Sequence, residues 1–271
     1  MRRGHGACVS LVLMALALCL PAGPASAQET APIVDARDYS EQGFYQSYVF
    51  GTPDDPSEAW LLAYGGRLYD AWWAVLFRDP PEATHPAYPA QGKQRGAATW
   101  RCVECHGWDY KGAAGRYGQG PHFTGIKGID GMAGADPERI ATILRDETHR
   151  FSPELLPDKA VRALALFVSR GQLDPAKVIE PETGLVRGNV ANGKQIYQNV
   201  CAICHDFDGK AWITGDEDQL TTLGAIATAN PWRGLHKIMN GQTYADMPAM
   251  RAFGVDVVRD VLSYIQTLPP D

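Results

Sequence analysis

Two pentapeptides carry the chemistry of this chain: CVECH at 102–106 and CAICH at 201–205. Each reads Cys-x-x-Cys-His. Two cysteines three apart on a helical turn can reach both vinyl groups of one porphyrin, and the adjacent histidine then lies under the iron. A Cys-x-x-Cys pair alone would equally suit a redox dithiol or half of a zinc site. Here the pair occurs twice, each time with its histidine, and a disulfide across each pair would leave both histidines unexplained. The expectation is two covalently bound haem c groups, attached through Cys102, Cys105, Cys201 and Cys204, with His106 and His205 as iron ligands.

With these motifs the chain resembles class I c-type cytochromes, specifically a dihaem protein built of two such domains over roughly 92–268. The resemblance implies a mainly α fold: two cytochrome c class I-like haem domains in tandem, at 92–173 and 189–271. A linker at 174–188 joins them, and an aromatic-rich helical N-terminal extension at 28–91 precedes them. It also implies that a second axial ligand lies in the loop after the second helix of each domain. Met247-Pro248 stands in that loop of the second copy, 42 residues after His205, with Met250 nearby. A thioether ligand favours the ferrous state and raises the potential. The first copy of the loop reads ETHRFSP against QTYADMP, with Ser152 where Met247 would be. His149, 43 residues after His106, is the expected ligand there, with Met132 or an open iron as alternatives. His122 lies only 16 residues beyond His106. A pair of imidazoles would give the first haem the lower potential. Arg101, Trp108, Lys111, Arg116, Tyr117 and Trp232 are candidates to reach propionates or pack on porphyrin. His85 and His236 have no assigned role.

The elements that must position these groups come in the same order twice. In the second copy, Asn192 is expected to cap a helix over 193–204 that delivers CAICH. Asn230-Pro231 opens a helix with Leu235, Ile238 and Met239 on one face, ended at Asn240-Gly241. A last helix carries Val257, Val258, Val261, Leu262 and Ile265 and stops at Pro269. In the first copy, 96–105 leads into CVECH, and Asp136-Pro137 opens a helix with Ile140, Ile143 and Leu144 inward. Asp158 caps a closing helix with Val161, Leu164, Ala165 and Val168 on one face, ended by Gly171. Upstream, Trp60, Tyr64, Tyr69, Trp72 and Trp73 mark an aromatic helical stretch. Its GGRLYDAWW (65–73) resembles GKQIYQNVC (193–201), with Trp73 where Cys201 stands. The stretch reads as a helix covering a haem domain or, in a second reading, as a surface for another subunit.

Residues 1–27 read as a cleaved export signal: Arg2-Arg3, an apolar run over 8–20, then Ala25-Ser26-Ala27. The expected location is the periplasm. No later segment is long and apolar enough to span a membrane. Losing Arg2 and Arg3 takes the net charge from −6 to −8 and leaves four cysteines. An acidic chain with scattered basic residues fits neither nucleic acid nor anionic lipid. No Ser/His/Asp set or carboxylate pair stands out, so no catalytic residue is assigned and the expected chemistry is single-electron transfer. The aromatic segment joined to WRCVECHGWDYKG resembles the Fe(II)-oxidising dihaem cytochromes of phototrophic purple bacteria. That resemblance implies Fe(II) as donor and a periplasmic or photosynthetic protein as acceptor. Asp216-Glu217-Asp218 is then a candidate docking cluster for the cation. The alternative is a carrier or subunit serving a sulfur-compound or other periplasmic oxidoreductase, with 28–91 as its contact to a partner subunit or a second copy.

Overall fold

The computed structural model describes residues 53–211, 222–243 and 245–271. The export signal and the acidic cluster at 216–218 lie outside them. The described chain is mainly helical, with two isolated antiparallel bridges, Gly112–Lys127 and Ile179–Val186. The helices are α1 (Glu58–Val75), α2 (Cys102–His106), α3 (Pro137–Arg145), α4 (Asp158–Leu166), α5 (Val190–Ile196), α6 (Ala202–His205), α7 (Leu223–Ala229), α8 (Pro231–Asn240) and α9 (Val255–Ile265). None is long and apolar enough to cross a membrane. A π-turn at Phe167–Gly171 extends α4, and another at Tyr197–Cys201 carries α5 into α6.

Local chemistry sets most helix ends. Asp136 caps α3 by accepting the Glu138 N–H at 3.1 Å, and Asn230 caps α8 by accepting that of Arg233 at 3.1 Å. Gly241, at φ +87°, ends α8 in a conformation that an L side chain rarely adopts. Two expected caps move by one position or a turn. Asn189, not Asn192, caps α5, because Asn192 is spent in the first turn, donating its side-chain N–H to Asp260 at 2.8 Å. Pro157 precedes α4, and Asp158 is its first residue, paired with Arg145 at 2.7 Å.

Two helix crossings frame the two motifs, and they are built alike. In the second half, α5 crosses α9. A Cβ on Gly193 would overlap the Asp260 carbonyl oxygen, so only glycine permits this approach. Four residues on, Tyr197 packs against Tyr264 and its hydroxyl donates to the Asp206 carbonyl at 2.9 Å. In the first half, α1 crosses α4. A Cβ on Gly65 would overlap the Ala163 carbonyl. Four residues on, Tyr69 packs against Phe167 and its hydroxyl donates to the Gly107 carbonyl at 2.7 Å. Gly107 and Asp206 are the residues that follow the two motif histidines, and both have positive φ. A boundary at residue 92 therefore separates α1 from the helix it crosses.

α1 is buried on nearly every side, as a helix apolar all round must be. Gly65 faces α4, while a Cβ on its neighbour Gly66 would overlap the side chain of Asn240 in α8. The helix is thus a wedge between the two halves. Tyr64, Tyr69, Trp72 and Trp73 are spent on this interior, so a subunit interface cannot be built from them. The linker is folded onto the body. Val178, Ile179 and Val186 are buried, and the Gln266 side chain of the segment after α9 bonds Val186 N–H and the Gly184 carbonyl.

Candidate functional site

Each motif opens into its own cleft. The first, about 430 Å³, is lined by Cys102, Cys105 and His106 and walled by Ile140, Leu144, Leu164 and Val168 of α3, α4 and the following π-turn. The second, about 380 Å³, is lined by Cys201, Cys204 and His205 and walled by Ile238, Leu262 and Ile265 of α8 and α9. Part of each apolar stripe expected from the sequence therefore lines a cleft, while Val161, Leu235, Met239, Val258 and Val261 pack in the core. None of the four cysteines is in a disulfide. Burial pushes the thiols of Cys102 and Cys105 up to about 12 and that of Cys201 up to about 11.

The first cleft brings together His106, His149 and Met132. His106 Nδ1 donates to the Lys127 carbonyl at 2.7 Å, which fixes the ring and turns Nε2 to other use. Burial lowers its pKa to about 4, so the imidazole is neutral at neutral pH. His149 Nδ1 is engaged by Asp146 Oδ1 at 3.2 Å. No hydrogen bond among the described residues engages either Nε2. The two rings lie within 26° of parallel with centroids 6.4 Å apart. That is too far for stacking, but two imidazoles bound through nitrogen to one metal at about 2 Å each would place their centroids about 6 Å apart. His122 is elsewhere, bonded to Glu104 at 2.9 Å and stacked on Tyr117.

The second cleft brings together His205, Met247 and Met250. Met250 is buried and Met247 half-buried. Burial lowers the His205 pKa, and its Nδ1 is buried without a hydrogen-bond partner among the described residues. Positive charge lines both clefts. Arg101 and Lys111 flank the first, as the sequence suggests; Arg233 and Lys237 flank the second. The latter two escaped the sequence reading, although their helix was legible. The remaining propionate candidates do not line the clefts. Arg116 stacks over Trp232 at 4.3 Å, and Arg101 and Lys237 lie 5.8 and 5.5 Å from the Trp108 ring.

The two histidines without an assigned role both have one. His236 is wholly buried between the halves, bonded to the Gly66 carbonyl and the Tyr110 hydroxyl at 2.9 Å each, and burial pushes its pKa down to about 3. His85 lines the first cleft and bonds to the backbone of His149. Beside them, Asp70 of α1 pairs with both Arg101 and Lys237, joining a wall of one cleft to a wall of the other. Burial alone would raise this carboxyl, but Lys237 and Arg101 overcome it and hold the pKa below the usual carboxylate range.

Free thiols beside a neutral histidine, apolar walls and flanking cations fit a covalently held porphyrin with anionic propionates. Residues 188–265 match the model of the family described as cytochrome c oxidase, cbb3-type, subunit III. The match covers the second motif and Met247 and stops short of the first motif. Residues 188–265 thus form a c-type cytochrome domain, which implies a covalently bound haem c and an electron-transfer role for this chain.

Proposed function

We propose that the chain is a periplasmic dihaem c-type cytochrome that carries single electrons from a small donor to a protein acceptor. Haem c bound in each cleft supplies a one-electron iron couple. Cys102 and Cys105 would hold the first through thioethers, with His106 and His149 as iron ligands. Cys201 and Cys204 would hold the second, with His205 and Met247. The module of the first haem begins at α1, whose crossing with α4 matches that of α5 with α9. The observation that carries the reading is that each cleft gathers one Cys-x-x-Cys-His with further donor side chains, His149 and Met132 in the first and Met247 and Met250 in the second, and that the imidazoles of His106 and His149 lie at metal-sharing distance.

Direction follows from the ligands. The second imidazole, from His149, favours the oxidised form of the first site, and the thioether of Met247 favours the reduced form of the second. Electrons run from the first cleft to the second. Exposure agrees with an exit to a protein there. Ile203 and Phe207, around the second motif, are 80% and 68% exposed. Their counterparts at the first motif, Glu104 and Trp108, are 3% and 6% exposed. The same apolar surface would seat a partner subunit of a larger oxidoreductase, which is the second reading.

Fe(II) is the proposed donor. Haem content of the purified holoprotein tests the count, with two per chain expected. Stopped-flow mixing of oxidised protein with Fe(II), sulfite and thiosulfate separately tests the donor. Rapid reduction by Fe(II) alone is expected, and no reduction by Fe(II) removes that donor.

A further inference from the structure

Residues 76–101 join α1 to the first motif, and the second half has no equivalent: there the π-turn at Tyr197–Cys201 passes directly into α6. This extra strap grips the loop that carries His149 at two points. At one, Arg78 donates to the carbonyls of Glu154 and Leu155. At the other, the His85 ring meets the His149 carbonyl at 2.9 Å. The Ala87 N–H donates to His85 Nδ1 at 3.1 Å, so Nδ1 is the acceptor and the proton sits on Nε2, which donates to His149. With both ring nitrogens engaged by backbone, His85 is not itself an iron ligand, although it lines the same cleft.

The strap is braced where it makes this contact. His85 N–H donates to Thr99 Oγ1 at 2.8 Å, Thr99 donates to the Gly96 carbonyl at 2.6 Å, and Trp100 Nε1 donates to the Ala83 carbonyl at 2.7 Å. The His85 ring stands edge-on to Trp100 with centroids 4.4 Å apart. The loop it holds is tied from its N-terminal side, where Asp146 Oδ1 accepts the N–H of Thr148 and of His149 at 2.9 Å each. His149 lies outside any helix, and Arg150 follows it at φ +56°, a conformation that costs a non-glycine residue energy. Asp146 fixes the His149 N–H and Nδ1 from one side, and His85 fixes its carbonyl from the other.

We propose that His85 is a positioning residue for His149: its hydrogen bond to the His149 carbonyl holds the loop so that this imidazole faces His106 across the first cleft. The inference rests on the reading of His149 as the distal ligand. Such outer partners set how firmly a ligand stays on its metal.

Carbon monoxide binding to the reduced holoprotein tests it, because carbon monoxide must displace the distal ligand. His85→Leu keeps the bulk and removes the donor; His85→Gln keeps an N–H donor. The expected result is carbon monoxide binding at the first site about tenfold faster in His85→Leu, the weight of one lost hydrogen bond and an unsatisfied carbonyl, with His85→Gln close to wild type. His85→Asn, polar but too short to reach the carbonyl, gives the same comparison if the leucine variant fails to fold. Wild-type rates in His85→Leu and His85→Asn, or equal acceleration in the Gln and Leu variants, overturn the proposal. His149→Ala separates the two levels. If it leaves the first site closed to carbon monoxide, the ligand reading fails. If it opens the site while His85→Leu does not, only the role of His85 fails.

Discussion

At the residue scale, the donors are set by side-chain chemistry and by what engages their other atoms. His106 shows this: Nδ1 is tied to the Lys127 carbonyl, and Nε2 has no hydrogen bond among the described residues. For Met247, exchange to Ala is expected to abolish the thioether-to-iron charge-transfer band of the second site and lower its potential, read by absorbance and redox titration. His236 makes a different prediction. Its folded pKa lies near 3 and its unfolded value near 6.5. Between those values the unfolded chain binds a proton that the native chain refuses. Stability is therefore full above about pH 6.5 and falls as pH drops toward 3, by about 1.4 kcal/mol per unit from this one group. Urea midpoints at pH 7, 6 and 5, where Asp70 stays charged in both states, are expected to fall less steeply in His236→Gln. The motif cysteines and histidines, Met247 and His149 stood out in the sequence, and the structure places them along the two clefts. His85 and His236 were not, because their partners lie 64 and 170 residues away in sequence.

At the element scale, two glycines decide how closely helices approach the motifs. Gly193 lies against the backbone of α9 and Gly65 against that of α4, and in each case the obstacle to a Cβ is a carbonyl oxygen that cannot rotate away. Gly193→Ala and Gly65→Ala are each expected to lower stability by about 1–3 kcal/mol, the usual range for overpacking, measured by denaturant unfolding of the holoprotein. A Gly193→Ala protein of unchanged stability would show that the crossing can open at no cost. Helices α3, α4, α8 and α9 were legible because their apolar positions recur at helical spacing. α1 was legible as a helix and as a likeness to 193–201, but not as a wedge between the halves. Period alone cannot place a helix buried on all sides, since it shows no polar face to orient it.

At the scale of the whole molecule, the two halves are joined through α1, and Asp70 is the centre of that join. Its carboxylate neutralises Arg101 on one side and Lys237 on the other. Asp70→Ala would leave the largely buried Lys237 without its counter-ion and remove the partner of the part-exposed Arg101. The expected loss is about 3–5 kcal/mol, the range for breaking a buried ion pair from one side. A falling thermal midpoint and a lower yield of haem-loaded protein would show it, and an unchanged midpoint would mean that the cations find water or other partners. The sequence by itself determined the two Cys-x-x-Cys-His motifs, the order of helices repeated around them and the difference between the loops that carry His149 and Met247, because each of these is written in short-range spacing. The tertiary structure alone decided that Arg233 and Lys237 line the second cleft, that α1 belongs inside the body, and that a strap found in only one half braces the His149 loop. Those are contacts between residues far apart in the chain, and the packing of glycine faces and buried charge, which no local pattern encodes, brings them together.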